Sequence, residues 1–394
     1  MHKKIIILLV NRGAVEVDVI LPLLYKLRDK YLIFTIFKNK KAYLSLKSIN
    51  QLFSLWKETS KNYYIDSVNK SFFLKLAAKF VSILSSKNKF LDFLNQKIYK
   101  IKFFEDKLKY DDNQIKYIFT DYQVYNYWLS VLKKKYKTSK VILFPNTPII
   151  SFSNIFLDNF FLKHCDYLLL TNQNDIKRFK NLDQRKKIKI ITSGIMKFEK
   201  WWIRKLINKR SAITKIKNKK IITVAYNSRF DWLSKKDNKK HENQLEQIIK
   251  FFKSQNNFLY IFKIHPNVNS QNFFSLIKKY KFQNFIIRND HLITLSKIST
   301  MMISHKNSAA ALDSMALKCP VVELWNPGGK AYNSLNELKI LKCSDNIDQF
   351  KKNFFDIIHN KNIKKFCNFK NFKSKYLLEE EKKLNTTKIS NLLR

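Results

Sequence analysis

Two apolar runs in the second half of the chain end so abruptly that they restrict what it can fold into. Phe258-Leu259-Tyr260-Ile261-Phe262 stops at Lys263-Ile264-His265-Pro266, and Met301-Met302-Ile303 stops at Ser304-His305-Lys306-Asn307-Ser308. The second passes at once into the Ala-rich stretch Ala309–Leu317 and then into Cys319-Pro320-Val321-Val322-Glu323. Both read as buried strands that end at polar residues, and the second opens straight into a helix. In α/β proteins a strand, a small-residue turn and a helix N-terminus together hold phosphate. Free N–H groups and the positive helix end face the anion, and Ser or Asn side chains add donors. The pattern predicts a phosphorylated ligand, a nucleotide first of all.

The same order of strand, turn and helix recurs along most of the sequence, which predicts an α/β architecture. The opening reads as strand Lys4–Val10, polar turn Asn11-Arg12-Gly13-Ala14, helix Glu16–Asp29 and strand Tyr31–Phe37, a βαβ start. Residues 42–110 turn helical and Lys-rich and read as an insertion of helices, with an amphipathic one over Phe72–Leu84. Strands return at Ile115–Phe119, Lys140–Phe144, Tyr167–Leu170 and Ile188–Thr192. A second unit then supplies strands Ile221–Tyr226, Phe258–Ile264, Asn284–Arg288, Met301–Ser304 and Pro320–Leu324. The resulting expectation is two Rossmann-like domains facing a cleft, over 1–204 and 221–375, joined by a basic linker at 205–220 and followed by a helix over 376–394. At 394 residues each domain can bury its own core. No G-x-G-x-x-G is present, which disfavours a nicotinamide enzyme.

Charge raises the question of a polyanion partner. Lys and Arg number 76 against 30 Asp and Glu, a formal +46. Lys, Asn, Ile, Phe and Tyr abound while Gly, Pro and Ala are scarce, the pattern of AT-rich codons, and the lysines are spread along the whole chain. Compositional bias therefore accounts for most of the excess, with adhesion to an anionic membrane surface as its consequence. Nucleic acid is the weaker expectation, because no clustered basic and aromatic motif accompanies the lysines. The cysteines Cys165, Cys319, Cys343 and Cys367 form no C-x-x-C pair and read as small buried apolar residues of a cytoplasmic protein. No run is long enough to span a bilayer, so any membrane contact is expected to be peripheral, on the inner face.

The two architectural halves, with Lys263, His265 and Pro266 at one strand end and Ser304, Ser308, Asp313, Pro320, Val321 and Val322 at the next, resemble the GT-B glycosyltransferase superfamily. More narrowly, residues 220–325 are similar to bacterial surface-polysaccharide enzymes: capsule-type sialyl- and Kdo transferases and CDP-glycerol glycerophosphotransferases. Three positions depart from that pattern. Ala309 replaces the second Ser of a pair, Asp313 a Glu, and Lys318-Cys319 a Gly-Lys. The resemblance implies an N-terminal acceptor domain and a C-terminal domain that holds a nucleotide-activated donor, CMP- or CDP-linked rather than UDP-linked. It also implies that the sugar or polyol phosphate goes to a surface polysaccharide or glycolipid. Donor-binding residues would be Ser228, Arg229, Lys263, His265, Ser304, Asn307, Ser308 and Asp313.

Inverting transfer to a hydroxyl needs a general base, positive charge or hydrogen-bond donors for the leaving phosphate, and a dry cleft. His265 is the expected donor to the leaving group. Glu16, just past the Gly13 turn, and Asp121, after the strand Ile115–Phe119, are the two candidate bases. Each candidate has a plainer use as well. Ser308 would serve as a helix N-cap, Asp313 as a solvated helix residue, and Glu16 as a complement to a helix dipole. No D-x-D is present, so transfer without a metal or other cofactor is expected. Two alternatives remain. One is a UDP-sugar 2-epimerase of the same fold, against which Ser304–Ala309 lacks the glycines of that site; the other is a basic nucleic-acid-binding protein or a degenerate GT-B scaffold.

Overall fold

The computed structural model describes residues 3–66, 108, 110–124, 126–145, 154–157, 159–180, 188–209, 219–226, 234–264, 271–305, 308–327, 334–341, 343–359, 367–377 and 385–393. The first half runs β1 (Lys4–Val10), α1 (Ala14–Leu27), β2 (Tyr31–Phe37), α2 (Lys40–Lys47), α3 (Asn50–Thr59), β3 (Asn62–Ile65), β4 (Ile115–Asp121), α4 (Tyr127–Lys135), β5 (Lys140–Phe144), α5 (Asn159–His164), β6 (Tyr167–Leu170), α6 (Gln173–Arg178), β7 (Lys189–Thr192) and α7 (Lys200–Asn208). The second runs β8 (Lys220–Tyr226), α8 (Lys235–Ser254), β9 (Phe258–Ile264), α9 (Gln271–Tyr280), β10 (Phe285–Ile287), α10 (Leu292–Ile298), β11 (Met301–Ser304), α11 (Ala310–Met315), β12 (Val321–Glu323), α12 (Ser334–Glu337), α13 (Ile347–Ile358), α14 (Phe369–Phe372) and α15 (Asn385–Leu392).

Two parallel sheets result. One has seven strands in the order β3-β2-β1-β4-β5-β6-β7, the other five in the order β10-β9-β8-β11-β12. β1 sits mid-sheet, and Ile5 to Val10 are each at most 1 % exposed, as a parallel strand covered on both faces requires. Its side chains alternate: Ile6, Leu8 and Val10 pack with α1, while Ile5, Ile7 and Leu9 pack with Trp128, Leu129 and Leu132 of α4. Each such side chain contributes about 1.5–3 kcal/mol by leaving water. No helix among the described residues is long and apolar enough to cross a membrane.

Two sequence expectations meet a different outcome. Asn62–Ile65, placed among helices, is a strand that pairs parallel with Phe34–Phe37. Tyr63, Tyr64 and Ile65 suit a pleated edge, and four residues are too few to show alternation. α7 runs through Asn208, past the expected start of the linker. Helix α15, within the expected C-terminal run 376–394, lies against α1, so the second half crosses back to the first. Tyr31 and Tyr117 hydroxyls both donate to the Leu393 carbonyl at 2.9 Å, and Lys26 Nζ donates to Thr387 at 2.6 Å. The amphipathic stretch Phe72–Leu84 lies outside the described residues.

Candidate functional site

Strand order reverses between β1 and β4 in one sheet and between β8 and β11 in the other. Open α/β sheets take ligands at the carboxyl ends of the strands beside such a reversal. In the first sheet, Asn11-Arg12-Gly13 after β1 and Asp121 at the end of β4 hold that place. Gly13 has φ 91°, and a Cβ there would lie 2.1 Å from the Ala42 carbonyl oxygen and 2.9 Å from Ser45 Cβ. Only glycine lets α2 sit this close to the turn.

Glu16 is a candidate base in the sequence, but the structure gives its carboxylate to this loop. The residue is 0 % exposed, and Oε2 accepts the N–H groups of Asn11 at 2.6 Å, Arg12 at 2.7 Å and Gly13 at 3.3 Å. Burial raises its pKa, while those N–H groups and the Arg12 charge oppose the rise. Asp121 is also 0 % exposed, and its Oδ1 accepts the Gln123 N–H at 2.8 Å. Asn11 Nδ2 donates to the Val124 carbonyl at 3.3 Å, which ties the two turns together.

In the second sheet β9 ends at Lys263 and Ile264, and β11 at Ser304. Ser304 is fully buried and its Oγ makes no hydrogen bond. Ser308 Oγ accepts the Ala310 N–H at 3.2 Å, the helix-cap use of this residue. His305 is buried beside His241 of α8, ring centroids 5.5 Å apart. Lys318, in place of the glycine of the resembling families, has φ 56°. The left-handed turn is therefore kept by a residue with a Cβ, at a cost of about 1–2 kcal/mol. Ser228, Arg229, His265 and Asn307 lie outside the described residues.

The two halves meet through ionised side chains. Lys197, in the short turn Met196–Phe198, places Nζ 2.6 Å from Asp18 Oδ2 on α1 and 2.6 Å from Asp313 Oδ1 on α11. Asp18 Oδ1 lies 2.8 Å from His291 Nε2. His291 Nδ1 accepts the Ile293 N–H at 3.2 Å, so the ring proton toward Asp18 sits on Nε2, a tautomer assigned from these two contacts. Gln51 of α3 adds two bonds across the junction: Nε2 donates to Asp290 at 2.8 Å, and Oε1 accepts the His291 N–H at 3.2 Å. Burial alone would raise the Asp18 pKa, but His291 and Lys197 together hold it well below the carboxylate range. Burial likewise disfavours the charged Lys197, and Asp18 and Asp313 overcome it, holding its pKa above the usual lysine value. Asp313 itself is pushed up, by burial first and by Asp18.

Asp313, expected among the donor-binding residues, faces this cluster. Its side chain is 6 % exposed and is ion-paired to Lys197. Sequence reasoning passed over Lys197, His291 and Gln51. A signal existed: Asp18 lies between Val17 and Val19, and Lys197 between Met196 and Phe198. Each is a charge flanked on both sides by apolar residues, the two are of opposite sign, and a buried charge calls for a partner.

Beside this cluster opens a pocket of about 530 Å³, lined by Lys40, Lys41, Leu44, Ser45 and Ser48 of the first half and Lys263, Ile264 and Asn289 of the second. Three lysines line it, two from helix α2 and one from strand β9, and none of these lining residues is acidic. Lys263 Nζ donates to the Asn289 carbonyl at 3.2 Å. Burial lowers its pKa to about 8, against the pull of Asp290, Asp18 and Asp313. The pocket is suited to an anion held between the halves, with Leu44 and Ile264 offering apolar contact.

No family model matches this sequence, and no curated protein does. Solved structures match along its whole length. A Listeria monocytogenes protein described as a UDP-N-acetylglucosamine 2-epimerase aligns over 99 % of this chain and 95 % of its own, with TM-score 0.60 and 8 % identity. Phytolacca americana UGT2, solved with UDP-2-fluoro-glucose and pterostilbene, aligns over 100 % and 99 %, with TM-score 0.52 and 9 % identity. Acinetobacter baumannii MurG aligns over 100 % and 99 %, with TM-score 0.51 and 10 % identity. Two parallel sheets joined across a cleft, each reversing its strand order beside that cleft, give this chain the GT-B fold.

Proposed function

We propose that this protein is a GT-B glycosyltransferase that moves a sugar or polyol phosphate from a nucleotide-activated donor to a growing surface polysaccharide or glycolipid. The observation that carries the reading is the pocket between the halves, which Lys40, Lys41 and Lys263 line with no acid among the described lining residues. A diphosphate or nucleoside monophosphate leaving group needs such charge. With Glu16 bound to its own loop, Asp121 is the acid we assign as general base, at the carboxyl edge of β4. The UGT2 complex supports a nucleotide sugar as donor, and its nucleotide is UDP. The CMP or CDP preference rests on the sequence resemblance alone.

A second reading has a specific observation in its favour: the Listeria 2-epimerase superposes with TM-score 0.60, against 0.52 for UGT2. One experiment separates the two. Thermal shift against CMP, CDP, UDP and GDP identifies the nucleotide, since a ligand of the native state raises the melting point. The matching nucleotide sugars are then incubated with and without an oligosaccharide acceptor. Nucleotide release that requires acceptor supports transfer. Epimerised UDP-N-acetylglucosamine without acceptor would establish the second reading, and no shift with any nucleotide would sink both.

A further inference from the structure

All strands of a parallel sheet start on one edge, and in the seven-stranded sheet that edge is a row of amines. In spatial order β3, β2, β1, β4, β5 and β7 carry Lys61, Lys30, Lys4, Lys116, Lys140 and Lys189 at their first residue or one residue from it. At about 4.8 Å between strands, the row is about 30 Å long. Only β6 breaks it, with Asp166 before Tyr167. Five of the lysines are exposed and Lys116 is half-buried. Lysine abundance does not produce this row, because the other sheet has the same overall composition to draw on. By the same criterion only β8, with Lys219 and Lys220, has a lysine at its start; β9, β10, β11 and β12 have none.

Neighbouring lysines of the row act on one another. Lys116 feels Lys4 and Lys140, whose repulsion adds to burial in lowering its pKa. Rings under the edge support the amines: Lys116 lies 5.7 Å from the Tyr117 centroid and Lys140 5.9 Å from Tyr167. Acids stand among them: Asp166 and Asp112 act on Lys133, and Asp111 acts on Lys135. Asp29 pairs with Arg28 at 3.7 Å, Asp112 accepts the Thr138 N–H at 3.4 Å, and Asp166 accepts the Val141 N–H at 2.7 Å. α4 runs antiparallel to the strands and delivers Lys133, Lys134 and Lys135 to the same end.

We infer that this edge docks the protein on an anionic lipid surface. A straight row of amines over about 30 Å matches a plane of headgroups. A single-stranded nucleic acid would instead need rings free to stack on bases, and Tyr31, Tyr117 and Tyr136 are buried. The edge lies at the strand starts, opposite the carboxyl ends that form the cleft, so a docked molecule keeps its cleft turned to solution, toward the sugar end of a long acceptor and away from any lipid end.

The test is co-sedimentation with phosphatidylcholine vesicles, with and without about 30 % phosphatidylglycerol, in low and high salt. The wild type should bind only the anionic vesicles and leave them in high salt. The variant Lys4→Gln, Lys30→Gln, Lys61→Gln, Lys140→Gln, Lys189→Gln should lose binding on the order of a hundredfold or more, since each amine near such a surface is worth a factor of about five. A control with the same charge change, Lys235→Gln, Lys236→Gln, Lys253→Gln, Lys278→Gln, Lys297→Gln, should keep most of it. No binding by the wild type, or an equal loss in both variants, overturns the inference. So does an edge variant that keeps its vesicles while losing an oligonucleotide. Should the edge variant melt early, amine acetylation of the wild type decides: vesicles must protect Lys4, Lys30, Lys61, Lys140 and Lys189, and protection of the control lysines instead refutes the assignment.

Discussion

Replacing Lys197 by Met would remove the one cation that joins Asp18 to Asp313. The Lys197 Nζ lies 2.6 Å from each carboxylate, and the three side chains are 7 %, 12 % and 6 % exposed. Deleting one partner of a buried pair leaves an uncompensated charge and costs about 3–5 kcal/mol. For 394 residues that corresponds to a fall in melting temperature of about 4–6 °C at pH 7. The sign with pH follows from the loss of Lys197. His291 still holds Asp18, but Asp313, already raised by burial, then titrates higher still when folded, so the penalty is full at neutral pH and shrinks as pH falls through its folded value. Scanning calorimetry at pH 7 and pH 4 should therefore show a large deficit that narrows in acid. The triple variant Asp18→Asn, Lys197→Met, Asp313→Asn should recover most of the loss, because no charge is then left buried alone. A Lys197→Met protein that melts within a degree of wild type at pH 7 would refute the argument: the two halves would not then be joined through this cluster.

Four further outcomes are expected. Gly13→Ala, with a Cβ 2.1 Å from a carbonyl oxygen and φ 91°, should destabilise by about 1–3 kcal/mol in urea unfolding. Nucleotide affinity measured by calorimetry should fall between pH 7 and pH 9 as the Lys263 amine, with its pKa near 8, loses its charge, and should stay level in Lys263→Arg. Asp121→Asn should abolish turnover while leaving nucleotide binding intact. Glu16→Gln should lower stability by about 1–3 kcal/mol through the loss of a charged acceptor for three N–H groups, with the pH profile of turnover unchanged.

The strands were legible because central parallel strands are apolar on both faces. Lys4–Val10, Tyr31–Phe37, Lys140–Phe144 and Phe258–Ile264 fall where the sequence places them. β3 was not legible, since a four-residue edge strand carries too short a pattern. In the site, Lys263, Ser304 and Ser308 could be named from their places at strand and helix ends. Lys40, Lys41 and Ser45 could not, because only the approach of α2 to the second half makes them pocket residues. Glu16 and Asp313 were visible as acids, but their partners are backbone N–H groups in a tight turn and a lysine 116 residues away, which no local spacing encodes.

The hydroxyls of Tyr31 and Tyr117 have a consequence for synthesis. They close on a carbonyl 362 and 276 residues downstream. At about 5–20 residues per second, a ribosome needs about 20–70 s to deliver that partner after Tyr31 has emerged. Throughout that interval the face of α1 that α15 will cover stays open. The first half is therefore a nascent unit that must wait for its own lid, and it is during translation, more than after it, that this chain has most need of a chaperone.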